Sequence, residues 1–337
     1  MSEKVIINFK KIKQVGKGFH SKVFKAEEIN IKRIIAIKEI DSKKLKRGFY
    51  DEAILLNTSK NPNVVDMHYA GENEDNKLIY LAMPLYENGS LQNIINGEHT
   101  IKDLLMYTQG ILSGLSHIHS KGILHLDLKP DNILISDDNQ ALISDFGVSM
   151  NFDLETSIVE ANNLYPLLTP PEVLINNTVS IQSDIYQLGI LMFLLYNQIS
   201  LDSIASKFDF SKENIRKTIT QIRNLIKEDK LFDKKFNPHI HLKIQKIILK
   251  CMNPDLDKRY KSVDDVRNEF SSIDSNESLL WSFKKGNNLK IFTKNIDLKK
   301  EEYTINNKNE ITYRLYKNEK LIEENKNIDI TIETIFR

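Results

Sequence analysis

A chain of 337 residues, 41% of them hydrophobic, can build one large domain or two of ordinary size around a sizeable core, which excludes a globally disordered protein. Its 47 Lys and Arg against 46 Asp and Glu leave no basic footprint, so neither nucleic acid nor an anionic membrane is expected as a partner. The single cysteine, Cys251, excludes a disulfide framework and a cysteine-based zinc site; within IILKCM it reads as a buried, inert thiol. The opening MSEKVIINFKK lacks the apolar core of a leader, and LGILMFLLY (188–196) falls well short of the roughly 20 residues needed to span a bilayer, so a cytoplasmic protein is expected.

The first hundred residues read mainly as strands: FKKIKQVGKG, KVFKAEE and KRIIAIKEI, then KLIYLAMPLY. Between them FYDEAILLNTSK (49–60) has the pattern of a helix ended by NPN. From residue 100 the period changes. Ile101, Leu104, Leu105, Thr108, Ile111, Leu112, Leu115 and Ile118 recur at three and four, predicting a long helix. Further helices are predicted over 183–197, apolar all round and hence buried, and over 212–228, 240–252 and 262–270, the last with Ser262 and Asp265 placed to cap it. A strand-rich part followed by a helix-rich part is an α+β architecture with a cleft between. SSIDSNES (271–278) reads as a linker. Beyond it, alternation at Ile311, Tyr313 and Leu315 and at Ile328, Ile330 and Ile332 predicts a small antiparallel β module over 279–337.

Chemistry-bearing residues fall in a fixed order along this frame. GKGFHSKV (16–23) sets Gly16 and Gly18 between two strands, where free amides can lie over phosphates. IAIK ends at Lys38, and Glu52 follows 14 positions later on the predicted helix. HLDLKPDN (125–132) packs Asp127, Lys129, Asp131 and Asn132 between two apolar runs, which would fix a loop that must hold its polar groups rigidly. SDFG places Asp145 13 positions beyond Asn132, and TPPE (169–172) and SDIYQLG (183–189) follow.

Taken together these motifs resemble the eukaryotic-type (Hanks-type) protein kinase family, over about residues 8–270. The resemblance implies the bilobal kinase fold, with a β-rich lobe at 8–84 and an α-rich lobe at 87–270. It implies ATP and Mg2+ as cofactors and a protein substrate, with a partner conceivable at the C-terminal β module. Lys38 would hold the α- and β-phosphates and pair with Glu52, Asp127 would be the catalytic base, and Lys129 would steady the γ-phosphate. Asn132 and Asp145 would hold magnesium. Gly16, Gly18, Ser21, Val23, Ala36, Met83, Leu85, Tyr86 and Leu134 would surround the nucleotide. Lys129, two positions after Asp127, is similar to the serine/threonine class. Glu172 with Arg259 resembles the family's structural ion pair, Asp184 its tether for the catalytic loop, and Leu56, Met67, His125 and Phe146 its apolar column. The pattern is departed from at Ser21, the third glycine position; at Leu126, where an Arg usually precedes the catalytic Asp; and at Tyr165, where a Thr is usual. Leu126, together with a segment Asp145–Glu172 that has no Lys or Arg, implies activity independent of phosphorylation in that segment. Two rival readings remain: a pseudokinase scaffold that binds nucleotide without transfer, and a phosphotransferase with a non-protein acceptor.

Overall fold

The computed structural model describes residues 7–18, 21–41, 54–55, 57, 60–73, 78–95, 97–152, 158–160, 164–237, 239–273, 281–285, 289–296, 299–307, 313–317 and 320–325. Strands β1 (Phe9–Lys17), β2 (Ser21–Glu28), β3 (Arg33–Asp41), β4 (Tyr69–Asn73) and β5 (Leu78–Pro84) form one antiparallel sheet in the order β1-β2-β3-β5-β4. β3 lies centrally, which is why RIIAIKEI reads as a nearly continuous apolar run. Its period of two sorts the side chains: Ile35 and Ile37 pack with Ala26 and Ala82 on one face, while Ala36 and Ile40 pack with Ile79, Leu81 and Met83 on the other. Lys38 stands between Ala36 and Ile40 on that second face, opposite Leu81. Ile54, Leu55 and Asn57 are helical, inside the helix expected over 49–60. Glu52 and Leu56 lie outside the described residues.

The helical lobe begins where the period changes. Thr100 caps the helix Ile101–Ser120: its hydroxyl accepts from Asp103 N at 3.1 Å, and Asp103 Oδ2 accepts from Thr100 N at 2.9 Å. The helix Ile181–Asn197 is buried from Ser183 onward, as its all-round apolar sequence requires. The helix Leu242–Cys251 packs against it, the helices Ile215–Lys227 and Val263–Ser271 belong to the same lobe, and Cys251 is buried as expected. A Cβ on Gly189 would stand 2.7 Å from Met252 Cγ and 2.8 Å from Cys251 Cβ, so only glycine lets these two helices approach so closely. Ser262 and Asp265 form the expected capping pair, and the last helix runs to Ser271, one residue into the expected linker. No helix among the described residues is long and apolar enough to cross a membrane.

The chain also forms short strands: β6 (Ile123–Leu124), β7 (Ile133–Ile135), β8 (Ala141–Ile143), β9 (Met150–Asn151), β10 (Val159–Glu160) and β11 (Thr178–Val179). They pair β6 with β9, β7 with β8 and β10 with β11. β12 (Trp281–Lys285), β13 (Leu289–Ile296), β14 (Lys299–Asn307), β15 (Tyr313–Lys317) and β16 (Lys320–Asn325) form an antiparallel meander, in agreement with the expected β module. It meets the helical lobe at a bridge between Ser282 and Thr100, where the Ser282 hydroxyl also donates to Glu98 Oε1 at 3.2 Å. The alternating stretch 328–332 lies outside the described residues.

Candidate active site

The loop HLDLKPDN is held from below by one helix. Asp184, fully buried on Ile181–Asn197, accepts from the backbone amides of His125 (2.8 Å) and Leu126 (2.7 Å), and His119 Nε2 lies 2.8 Å from the same carboxylate. One turn on, Gln187 accepts from Leu128 N at 3.1 Å and donates to the carbonyls of Leu126 (3.0 Å) and Leu168 (3.1 Å). These bonds hold Leu126 at φ 65°, a left-handed conformation costing a non-glycine residue about 1–2 kcal/mol. The strain turns Asp127 out of the core while Leu126 stays in it.

Around Asp127 the polar groups converge. Lys129 Nζ donates to Asp127 Oδ2 at 2.6 Å, and Asn132 Nδ2 donates both to that oxygen (2.8 Å) and to the Asp127 carbonyl (2.9 Å). Burial pushes the Asp127 carboxyl above its ordinary pKa, with Lys129 opposing the rise. The Lys129 ammonium also lies 5.8 Å from the centre of the Tyr165 ring.

The second carboxylate faces the small lobe. Asp145, at φ 62°, accepts at Oδ1 from Lys38 Nζ (2.8 Å) and from Gly147 N (3.2 Å). Burial works against its charge, but the Lys38 ammonium prevails and holds the carboxyl to about 2. Among the described residues, Asn132 Oδ1 and Asp145 Oδ2 carry no hydrogen bond. Two hard oxygens left open beside a cleft are ligands of the kind magnesium takes.

The expected nucleotide-facing residues gather beside Lys38. Ala36 and Met83 belong to one apolar cluster against which Val23, Leu85, Tyr86 and Leu134 pack. Gly16 pairs with Val23 across the β1–β2 turn. Gly18 N donates to Ser21 O at 2.9 Å, which closes the turn. Glu52, expected as the partner of Lys38, lies outside the described residues. His125 and Phe146 meet edge to face at 5.3 Å, and Met67 packs on the cluster that contains Phe146; Leu56, the fourth member of the expected column, is not among the described residues.

The structural tie is also in place. Arg259 makes two parallel bonds to Glu172, at 2.9 and 3.0 Å, and Ser183 Oγ adds a third at 2.8 Å. Sequence reasoning passed over Gln187, and it marked Tyr165 as a departure without its contact to Lys129. Gln187 follows Asp184 by three positions, hence on the same helix face, and that spacing was its signal.

A two-lobed fold whose cleft gathers a strand lysine, two carboxylates and an asparagine defines a phosphoryl-transfer architecture. The protein kinase domain family matches residues 9–270, and the chain belongs to that family. It is 28% identical over 276 residues to the probable serine/threonine-protein kinase PknB of Lactococcus lactis, covering 78% of this chain and 42% of that protein. It is 27% identical over 264 residues to the serine/threonine-protein kinase PrkC of Bacillus subtilis, covering 76% and 39%. Calcium/calmodulin-dependent protein kinase type 1 of Macrobrachium nipponense is 29% identical over 255 residues, covering 73% of this chain and 70% of that protein. The chain thus spans about two-fifths of the length of the two bacterial relatives.

Proposed function

We propose that this chain transfers the γ-phosphoryl group of ATP to serine or threonine hydroxyls of proteins, with magnesium held by Asn132 and Asp145. The observation that carries the reading is the convergence of Lys38 on Asp145 and of Lys129 and Asn132 on Asp127 in one cleft. Phosphoryl transfer asks for positioned charge more than for covalent chemistry. Asp127 accepts the hydrogen bond of the incoming hydroxyl and aims its oxygen, taking the proton as its bond to phosphorus forms and the bond from phosphorus to the departing ADP oxygen breaks. Lys129 supplies a compact positive charge at the transferred group, and Lys38, fixed on a central strand, places the α- and β-phosphates. Asn132 and Asp145 would hold magnesium, which would supply positive charge to offset that of the phosphates. The test is radiolabelled ATP with the pure protein, generic acceptors and host lysate, with Asp145→Asn as the dead control. Label on Ser or Thr supports the reading. Nucleotide-induced thermal stabilisation without transfer would leave the pseudokinase, and label only on a small molecule would leave the non-protein acceptor.

The same reading includes activity independent of phosphorylation between Asp145 and Glu172. Leu126 is fully buried with Leu124, Phe152 and Val179, and Val148, Met150, Val159 and Leu164 pack around them. An apolar contact of this kind holds Phe152, Val159 and Leu164 where a guanidinium would otherwise gather a phosphate. Thr156 and Ser157, the nearest hydroxyl pair in the sequence, lie outside the described residues. Replacing both by Ala on phosphatase-treated protein should leave kcat/KM within about tenfold, or 1.4 kcal/mol. A larger fall, absent from Ser136→Ala, would sink this part of the reading.

A further inference from the structure

Lys129 is a cation with more anionic neighbours than it can serve. Its ammonium donates to Asp127 Oδ2 at 2.6 Å. Lys129, Asp202 and Asp127 are the charged neighbours of Asp131, and the same groups together with Asp131 act on the Tyr165 hydroxyl. Neither Asp131 nor Asp202 bonds to the ammonium among the described residues. The second oxygen of Asp127, Oδ1, accepts no hydrogen bond among them and stays open to an acceptor hydroxyl.

The other group in contact with Lys129 is the Tyr165 ring. Its centre lies 5.8 Å from Nζ, inside the reach of about 6 Å for a cation–π contact. The Lys129 side chain is 25% exposed, so water competes for it only in part. Burial raises the Tyr165 phenol above its ordinary pKa against the pull of Lys129, so the ring meets the ammonium uncharged. Both partners are mounted on one side chain. Gln187 holds Leu128 N at 3.1 Å and Leu126 O at 3.0 Å on the Lys129 loop, and Leu168 O at 3.1 Å in the turn after Tyr165. That turn is closed by Leu168 N and Thr169 Oγ1, which donate to Tyr165 O at 2.9 and 3.1 Å. Tyr165 also packs on the core of the helical lobe, so the fold sets the contact before any ligand arrives.

An ammonium has three N–H groups, and one of them goes to Asp127. A ring face attracts the charge without taking a directed bond, so the other two stay free for phosphate oxygens. A threonine, the usual residue here, would engage one of them through its hydroxyl oxygen, and a carboxylate would engage one or both. We propose that Tyr165 is a positioning residue whose ring keeps the Lys129 ammonium on Asp127, away from Asp131 and Asp202, with two N–H groups free for the transferred phosphoryl group. This rests on the protein-kinase reading above.

The experiment compares Tyr165→Phe, which keeps the ring, with Tyr165→Leu and Tyr165→Met, which remove it, each alone and combined with Lys129→Met. Initial rates with radiolabelled ATP and a generic acceptor peptide give kcat and KM. Tyr165→Phe should stay within about threefold of the unmodified chain. Leu and Met should each lose about tenfold in kcat, or 1.4 kcal/mol, with both KM values within about twofold, because Lys129 acts at the transferred group. In the Lys129→Met background, losing the ring should cost less than about twofold more, since the ring works through the ammonium. Phe, Leu and Met variants equal to one another, or a tenfold loss that persists without the ammonium, overturn the proposal. The Lys129 ε-methylene resonance, in protein carrying isotope-labelled lysine and assigned by its absence from Lys129→Met, reads the contact without any transfer. The ring should shift it upfield in the unmodified chain and in Tyr165→Phe, and the shift should vanish in Leu and Met. A resonance indifferent to the ring overturns the proposal. If the unmodified chain transfers no phosphate, the kinase reading fails separately, and this shift alone decides whether the ring holds Lys129.

Discussion

Replacing Asp184 by Asn tests whether one buried carboxylate sets the geometry of the catalytic loop. The carboxylate has no solvent exposure and takes two backbone amides, at 2.8 and 2.7 Å, on different oxygens. Asparagine keeps one oxygen and turns an NH2 toward the other amide, so a donor faces a donor. The lost charge-assisted bond is worth about 1.5–3 kcal/mol, and the amide left unsatisfied costs about 1–3 kcal/mol more. Leu126 at φ 65° then holds a strained backbone with half its restraint. A loss of roughly 3–5 kcal/mol is expected, in the range seen for breaking a buried charged network. For a domain of this size that lowers Tm by roughly 2–4 °C per kcal/mol, about 6–20 °C in all. Asp127 follows Leu126 directly, and a displacement of about 1 Å there should lower kcat about 100-fold. Urea unfolding and initial rates on the same preparation give both numbers. A stability change under about 1 kcal/mol with kcat within threefold would refute the account of the loop, because the two amides would then be shown to need no carboxylate.

Lys38→Met and Asp145→Asn should each lower turnover at least about 100-fold, the scale for removing an electrostatic stabiliser, while circular dichroism stays native; near-normal turnover in either would refute the assigned roles. Because burial raises the Asp127 carboxyl above 3.8, the acid limb of kcat/KM should lie above that value, activity being present above the pKa and lost as pH falls through it. Lys129→Met removes the charge that opposes the rise, so the residual activity should show its limb moved to higher pH; a limb moved downward would contradict the cause assigned. A chain ending at residue 275 loses the Ser282 bridge to Thr100 and the bond to Glu98, and should melt a few degrees lower with kcat/KM kept within threefold. Unchanged Tm by calorimetry would show that the β module gives the lobe no support and would favour recognition as its role.

How far the sequence carries the site depends on what kind of signal each residue leaves. Lys38, Asp127, Asn132 and Asp145 were legible because their chemistry recurs at fixed separations, and period two on β3 alone is enough to put Lys38 on the same face as Ala36 and Ile40. The Ser262–Asp265 cap was legible for the same reason: three positions on a nascent helix bring one side chain to the other's amide. The β module was legible only in part. Its alternation shows at Tyr313 and Leu315, but WSFKK and LKIFTKNI are broken by lysines, and their pairing as β12 and β13 leaves no local mark. Leu126 marks the limit. Nothing in a leucine foretells φ 65°, a region that glycine and asparagine favour. The conformation is imposed by Asp184 and Gln187, which lie some sixty residues further along the chain, at separations of 58 and 61. The apolar contacts of Leu126 with Phe152 and Val179 keep the side chain inward once the backbone is turned. Local preference is overruled at one residue so that the next, Asp127, faces the cleft, and the energy for this comes from Asp184 and Gln187, two polar side chains on a largely apolar helix.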